Sequence, residues 1–190
     1  MQIVGLTGNI GSGKSTIAKA FNALGIPVFN SDAEAKKAYS FPSIQSEVQA
    51  ILEKSIDFNQ NNWKDEIASV IFSDRSKREK LETLIHEEVR KAFTKWCELQ
   101  HSKYVIREAA LANSFQPENC DWLIEVTADK ETRMKRVMIR NNFSESEFNR
   151  RDALQKTNEN FPTSKTLRIT NNDEDQVLSQ VLRIHERLSL

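Results

Sequence analysis

The chain has 190 residues, 38% of them apolar and 28% charged, with 27 Lys+Arg balancing 27 Asp+Glu. That balance argues against a general nucleic-acid binder, which needs a surplus of Lys/Arg on one face, and no apolar stretch approaches the roughly 20 residues that span a bilayer. Cys97 and Cys120 are too few for a disulfide framework and lack metal-ligand spacing, so they are expected to be small core hydrophobes in a soluble, cytoplasmic chain with no nucleic-acid, membrane or protein partner. The five glycines, Gly5, Gly8, Gly11, Gly13 and Gly25, all fall in the first 25 residues.

The apolar run Ile3-Val4-Gly5-Leu6 reads as a strand buried on both faces of a parallel sheet, and it stops at a glycine-rich turn. Ile17, Ala18, Phe21 and Leu24 then recur at helical spacing, with Gly25 where a left-handed C′ residue belongs. Ile26–Phe29 reads as a second strand, and Asn30-Ser31-Asp32 offers cap residues for the helix that follows. Strand, helix, strand, helix signals a right-handed parallel α/β sheet. From Phe41 to Gln100 glycine vanishes and apolar stripes appear: Ile44, Val48, Ile51 and Leu52; Trp63, Ile67, Val70 and Ile71; Leu81, Leu84, Ile85, Val89, Phe93 and Trp96. This predicts a helical insertion over 41–102 within a core made of 1–40 and 103–190. Strands are expected at Lys103–Arg107, Trp122–Val126 and Leu167–Ile169. Helices are expected at Asp129–Asn141, Ser144–Gln155 and Asp173–Leu188, with loops at Asn59–Asn62, Asn113–Asn119 and Asn158–Ser164.

Gly8-Asn9-Ile10-Gly11-Ser12-Gly13-Lys14-Ser15 satisfies G-x-x-x-x-G-K-[ST] between an expected strand and an expected helix. Glycines let successive N–H groups converge on phosphate oxygens, and the helix start adds the positive end of its dipole. Lys14 supplies a mobile charge for the β- and γ-phosphates of a nucleotide, and the Ser15 hydroxyl is placed to ligate Mg²⁺. GTPases of this type need an Asp-x-x-Gly switch and an Asn-Lys-x-Asp segment, and neither occurs here. Motor ATPases need an apolar strand ending in a metal-holding acid. The nearest approach is Val105-Ile106-Arg107-Glu108, where Glu108 could hold a metal-bound water but Arg107 interrupts the apolar run. Small-molecule and nucleotide kinases remain.

Asp32 falls at the carboxyl end of the second strand, where open α/β sheets bind ligands; it reads as the carboxylate that takes or orients a hydroxyl proton, or as a plain N-cap. Arg133, Lys135, Arg136, Arg140, Arg150 and Arg151 lie on two successive helices that read as a lid over about 140–160. Arg140, beside the turn, is the cation expected to reach the transferring phosphoryl group.

Gly5 through Thr16, Leu24-Gly25-Ile26-Pro27-Val28, Ser31-Asp32-Ala33-Glu34-Ala35, Leu84-Ile85-His86, Val89-Arg90, Arg136 through Arg140, Arg151 with Gln155, and Ile169-Thr170-Asn171 together resemble the dephospho-CoA kinases, in that family's order. The resemblance implies a P-loop fold with a five-stranded parallel sheet, and transfer of the ATP γ-phosphate, with Mg²⁺, to the ribose 3′-hydroxyl of dephospho-coenzyme A. By position, it makes Asp32 the base or hydroxyl-orienting acid and has His86 and Arg90 face the acceptor. It has Arg140 reach the phosphates and Asn171 the adenine edge, with Gly8, Asn9, Gly11, Ser12, Gly13, Lys14, Ser15 and Thr16 around the nucleotide. On spacing alone His86, among Leu84, Ile85 and Val89, could equally be a satisfied helix histidine. The chain departs from the family where Asn30 replaces the first acid of Asp-x-Asp, where Glu87 follows His86 in place of proline, where no acid stands near Ala112, and where Asn172-Asp173 replaces Asn-x-Gly. The alternatives are another small-molecule or nucleotide kinase of this fold, or a weakly active ATP-binding regulatory module suggested by Asn30 and the acid missing near Ala112.

Overall fold

The computed structural model describes residues 1–110, 114–155 and 161–190. Ala112, Asn113 and Asn158, together with the expected lid positions 156–160, lie outside the described residues. In chain order the elements are β1 (Gln2–Gly8), α1 (Lys14–Ala23), β2 (Val28–Asn30), α2 (Ser31–Ala38), α3 (Pro42–Leu52), α4 (Trp63–Ser73), α5 (Arg75–Glu98), β3 (Tyr104–Glu108), β4 (Trp122–Thr127), α6 (Lys130–Asn141), α7 (Glu145–Ala153), β5 (Thr166–Thr170) and α8 (Val177–Ser189).

The strands form the expected five-stranded sheet, every pair parallel, in the order β2-β3-β1-β4-β5. Burial explains why such short segments hold: Val4, Leu6, Tyr104, Ile106, Ile124 and Val126 are each at most 1% exposed, and they pack with Ile17 and Phe21 of α1 and Val181, Ile184 and Leu188 of α8. On the other face Ala109, Phe115, Cys120, Leu123 and Phe161 form a second apolar cluster. Cys120 is a core residue, as expected: its sulfur accepts from Gly5 N–H and donates to the Trp122 carbonyl. Burial pushes this thiol up to about 11, against the weaker opposing effect of those hydrogen bonds.

Of the element limits that differ from the sequence reading, three have a clear local reason. β1 runs on to Gly8 because its last residue still pairs with Val126 of β4. Ile26 is spent on closing α1, since its N–H reaches back to the Phe21 carbonyl beyond Gly25, whose φ of 82° is the left-handed conformation expected there. α8 begins at Val177 rather than Asp173 because Asn172–Asp175 closes a turn of its own, the Asp175 carboxylate accepting from Asn172 N–H at 2.6 Å.

The chain divides into two compact units, Met1–Asn30 with Leu99–Leu190, and Ser31–Glu98. α2, placed with the core by the sequence reading, falls in the second unit because it packs on α5. Within that unit, Ile44, Val48 and Leu52 of α3, Ile67 of α4, and Leu81, Ile85, Val89 and Phe93 of α5 are buried, which is the expected set of stripes less its margins. Asp74 separates α4 from α5 by capping the latter, its carboxylate accepting from Lys77 N–H at 3.0 Å. α5 passes through His86-Glu87 without a break, as the absence of proline there predicts.

Gly5 is fixed by packing rather than by a turn: a Cβ on it would lie 2.7 to 2.9 Å from the ring of fully buried Phe115. Gly5→Ala is therefore expected to cost about 1–3 kcal/mol in urea unfolding, and adding Phe115→Leu should recover part of that loss. Additive losses in the double variant would contradict this packing account.

Candidate active site

The loop from Gly8 to Gly13 joins β1 to α1, and Thr16 N–H and Ile17 N–H both return to the Gly13 carbonyl to start the helix. Gly13 has φ 91°, a conformation side chains avoid, and a Cβ there would strike the Asn171 amide. Ser12 is wholly buried, and its hydroxyl, like that of Thr7 in β1, has no hydrogen-bond partner among the described residues. Lys14 is the first residue of α1, with Ser15 and Thr16 exposed in the same turn. A helix start carries unpaired N–H groups and a positive dipole end, and the residues expected to cradle an anion, Gly8, Asn9, Gly11, Ser12, Gly13, Lys14, Ser15 and Thr16, all lie on this loop and the first turn of α1.

The strand register adds a carboxylate to this end of the sheet. Glu108, last residue of β3, stands opposite Leu6 of β1 and opposite Asn30 of β2. Its Oε1 accepts from Ser15 Oγ at 3.2 Å and its Oε2 from Asn30 Nδ2 at 3.0 Å, although the side chain is only 4% exposed. The interruption at Arg107 is no obstacle, because alternate side chains of a strand point to opposite faces. Arg107 lies over the Phe115 ring at 5.8 Å, on the other side of the sheet. Asn30, the departure from the family's Asp-x-Asp, and Glu108 on the neighbouring strand thus form one hydrogen-bonded pair.

Around the loop, side chains from the other half of the sheet hold its backbone. Asn171, just past β5, donates to the Ser12 carbonyl at 2.7 Å, and Arg136 of α6 in turn donates to the Asn171 carbonyl at 2.7 Å and pairs with Asp173 at 2.9 Å. Among the described lid cations, Arg140 is exposed and donates to Asn141 Oδ1 at 2.8 Å, while Arg151 pairs with Glu147 and lies over Phe143. The buried one is Arg133, which the sequence places in the same run of cations without singling it out. Its signal was its place on the face of α6 that also carries Val137, one turn on.

In the other unit, Asp32 is exposed in the first turn of α2, two residues past the end of β2. His86 and Arg90 are both exposed and one turn apart on α5, so His86 is not a core histidine; Arg90 has Glu87 at 3.9 Å.

A family model described as dephospho-CoA kinase (CoaE) matches residues 2–176. A Porphyromonas gingivalis protein named dephospho-CoA kinase is 31% identical over 189 residues, covering 98% of this chain and 94% of that one. A Geobacter sulfurreducens protein of the same name is 32% identical over 192 residues, covering 98% and 96%. Among solved structures, TT1252 from Thermus thermophilus superposes with a TM-score of 0.83 at 26% identity, covering 98% of this chain and 96% of that one.

Gly13→Ala is expected to weaken ADP binding about tenfold in calorimetry, the equivalent of the ~1–2 kcal/mol that a side chain costs in the left-handed region. Unchanged affinity would show that the loop does not need this backbone shape to hold phosphate.

Proposed function

The chain belongs to the dephospho-CoA kinase family, and on that premise we propose how its residues divide the work of moving the ATP γ-phosphoryl group to the ribose 3′-hydroxyl of dephospho-coenzyme A, the last step of coenzyme A synthesis in the cytoplasm. The observation that carries this reading is the Ser15–Glu108–Asn30 arrangement at the mouth of a phosphate-binding loop. The loop amides and Lys14 hold the β- and γ-phosphates, and Asn171 faces the adenine edge. His86 and Arg90 hold the acceptor, whose phosphate groups suit an exposed imidazole and guanidinium one helical turn apart. Asp32 takes or orients the proton of the attacking hydroxyl, and Arg140 meets the charge that builds on the transferring group.

The donor set suits a magnesium ion. Such an ion takes few protein oxygens, all hard, and completes its shell with water and substrate phosphate. Ser15 Oγ would hold such an ion directly, and Glu108, a buried carboxylate whose hydrogen-bonding partners Ser15 and Asn30 are neutral donors, would hold it through water. When bound there, magnesium would supply positive charge against the phosphate oxygens of the nucleotide. Everything else in the reaction is positioning: the hydroxyl oxygen forms the new bond to phosphorus, the bond to the β-phosphate oxygen breaks, and ADP leaves with the electron pair.

Lys14→Ala is expected to abolish turnover in a coupled assay of ADP release. Asp32→Asn should lower kcat at least about 100-fold, at the low end of general acid–base contributions, while ADP still binds; near-normal kcat would remove Asp32 from the proton's path. AMP offered in place of dephospho-CoA should release little ADP, and brisk turnover with AMP would favour a nucleotide kinase. Glu108→Gln should weaken Mn²⁺ binding in the presence of ADP by about 10–100-fold, read from the electron paramagnetic resonance of free Mn²⁺. An unchanged titration would exclude Glu108 from the metal site.

A further inference from the structure

Both backbone groups of one loop residue, Ile10, are held by side chains from outside the loop. Ile10 N–H donates to Gln155 Oε1 at 2.5 Å, just past the end of α7. The Ile10 carbonyl accepts from Arg133 Nη1 of α6 at 3.3 Å. The same guanidinium pairs through both nitrogens with Asp152 of α7, its Nη2 reaching Oδ2 at 3.4 Å, while its Nε donates to the Ala128 carbonyl at 3.0 Å and its plane lies 5.7 Å from the ring of fully buried Phe148. A guanidinium with its donors in a rigid fork, 8% exposed and fixed on several sides, is a stiff connector rather than a mobile charge. Gly11 closes the contact from the loop side: a Cβ there would stand 2.5 Å from the Arg133 carbonyl oxygen.

We propose that Arg133, Asp152 and Gln155 are positioning residues that set the phosphate loop from α7, holding the Ile10 peptide on its N–H through Gln155 and on its carbonyl through the Arg133–Asp152 pair. Their bonds run to the loop backbone, to the Ala128 carbonyl and to one another. They act by fixing the peptide that precedes Gly11, and with it the direction in which the following amides point; this rests on the loop being the nucleotide site. The two arms start within one turn of α7, so any movement of that helix changes both together, and nucleotide affinity is coupled to where α7 lies. The loop is thereby organised before nucleotide arrives, which spares the binding step the entropy of ordering it.

The test compares wild type, Gln155→Ala, Asp152→Asn and the double variant, all as the full chain. ADP affinity is measured by calorimetry, KM for ATP and for dephospho-CoA by steady-state kinetics, and the Ile10 amide by nitrogen-15 NMR hydrogen exchange. Gln155→Ala should weaken ADP binding and raise the ATP KM about fivefold, as expected for one lost hydrogen bond of about 1 kcal/mol. It should leave the dephospho-CoA KM within about twofold and speed exchange of the Ile10 amide at an unchanged melting temperature. The double variant should show less than the sum of the single effects, because both arms end on one peptide. ADP affinity within twofold of wild type in both single variants, with wild type binding ADP, overturns the proposal and leaves the nucleotide site standing. Failure of wild type to bind ADP overturns both. Equal rises in both KM values, tracking a fall in melting temperature, would show a structural role alone and also overturn it.

Discussion

A phosphate-binding loop must keep several backbone N–H groups converged on one point, which leaves its carbonyls and flanking peptides to be satisfied from elsewhere. The rest of this chain's nucleotide unit follows from that constraint. Asn171 from the end of β5 takes the Ser12 carbonyl, Arg133 from α6 the Ile10 carbonyl, and Gln155 beyond α7 the Ile10 N–H. Three segments far apart in sequence meet at one loop because the parallel order β2-β3-β1-β4-β5 puts the carboxyl end of β1 in the middle of the sheet, flanked by β3 and β4.

The same order explains why Glu108 meets both Ser15 and Asn30. β1 sends the chain out to β2 at one edge, and β3 returns between them, so the last residue of β3 has β1 on one side and β2 on the other. Glu108 occupies that place and touches both the hydroxyl of Ser15 and the amide of Asn30. Two carboxylates opposite each other on neighbouring strands would repel; an amide opposite one carboxylate donates to it instead. The amide at position 30 and the acid at position 108 are complementary, and the weakly active module suggested by Asn30 and the acid missing near Ala112 is not favoured by the family match.

Periodicity and punctuation carried most of the fold into view. The strands, the long stripe of α5, the loop motif and the left-handed Gly25 were legible because each depends on local pattern: apolar runs, helical spacing, a glycine where a side chain is strained. Glu108 was visible but set aside, because the run Val105-Ile106-Arg107-Glu108 reads as spoiled in one dimension, whereas in a sheet Arg107 and Glu108 face opposite sides. Arg133 was hidden among neighbouring cations, since its place on the Val137 face is a weak signal until the packing of Phe148 and the position of Asp152 set it apart from Lys135 or Arg140. Asn171 was assigned to adenine through family resemblance, and its bond to Ser12 is a tertiary contact spanning most of the chain that no spacing rule encodes. The start of α8 was misplaced because Asp175 closes a turn with its side chain, a choice made by one carboxylate against helix propensity.

The central claim is that this loop and its carboxylate serve phosphoryl transfer to the ribose of dephospho-coenzyme A. The most direct measurement is phosphorus-31 NMR of the enzyme with magnesium, ATP and dephospho-coenzyme A. The account predicts one new phosphomonoester resonance, coupled to the ribose H3′ proton and growing in step with ADP. Growth of inorganic phosphate with ADP, and no new ester, would contradict it.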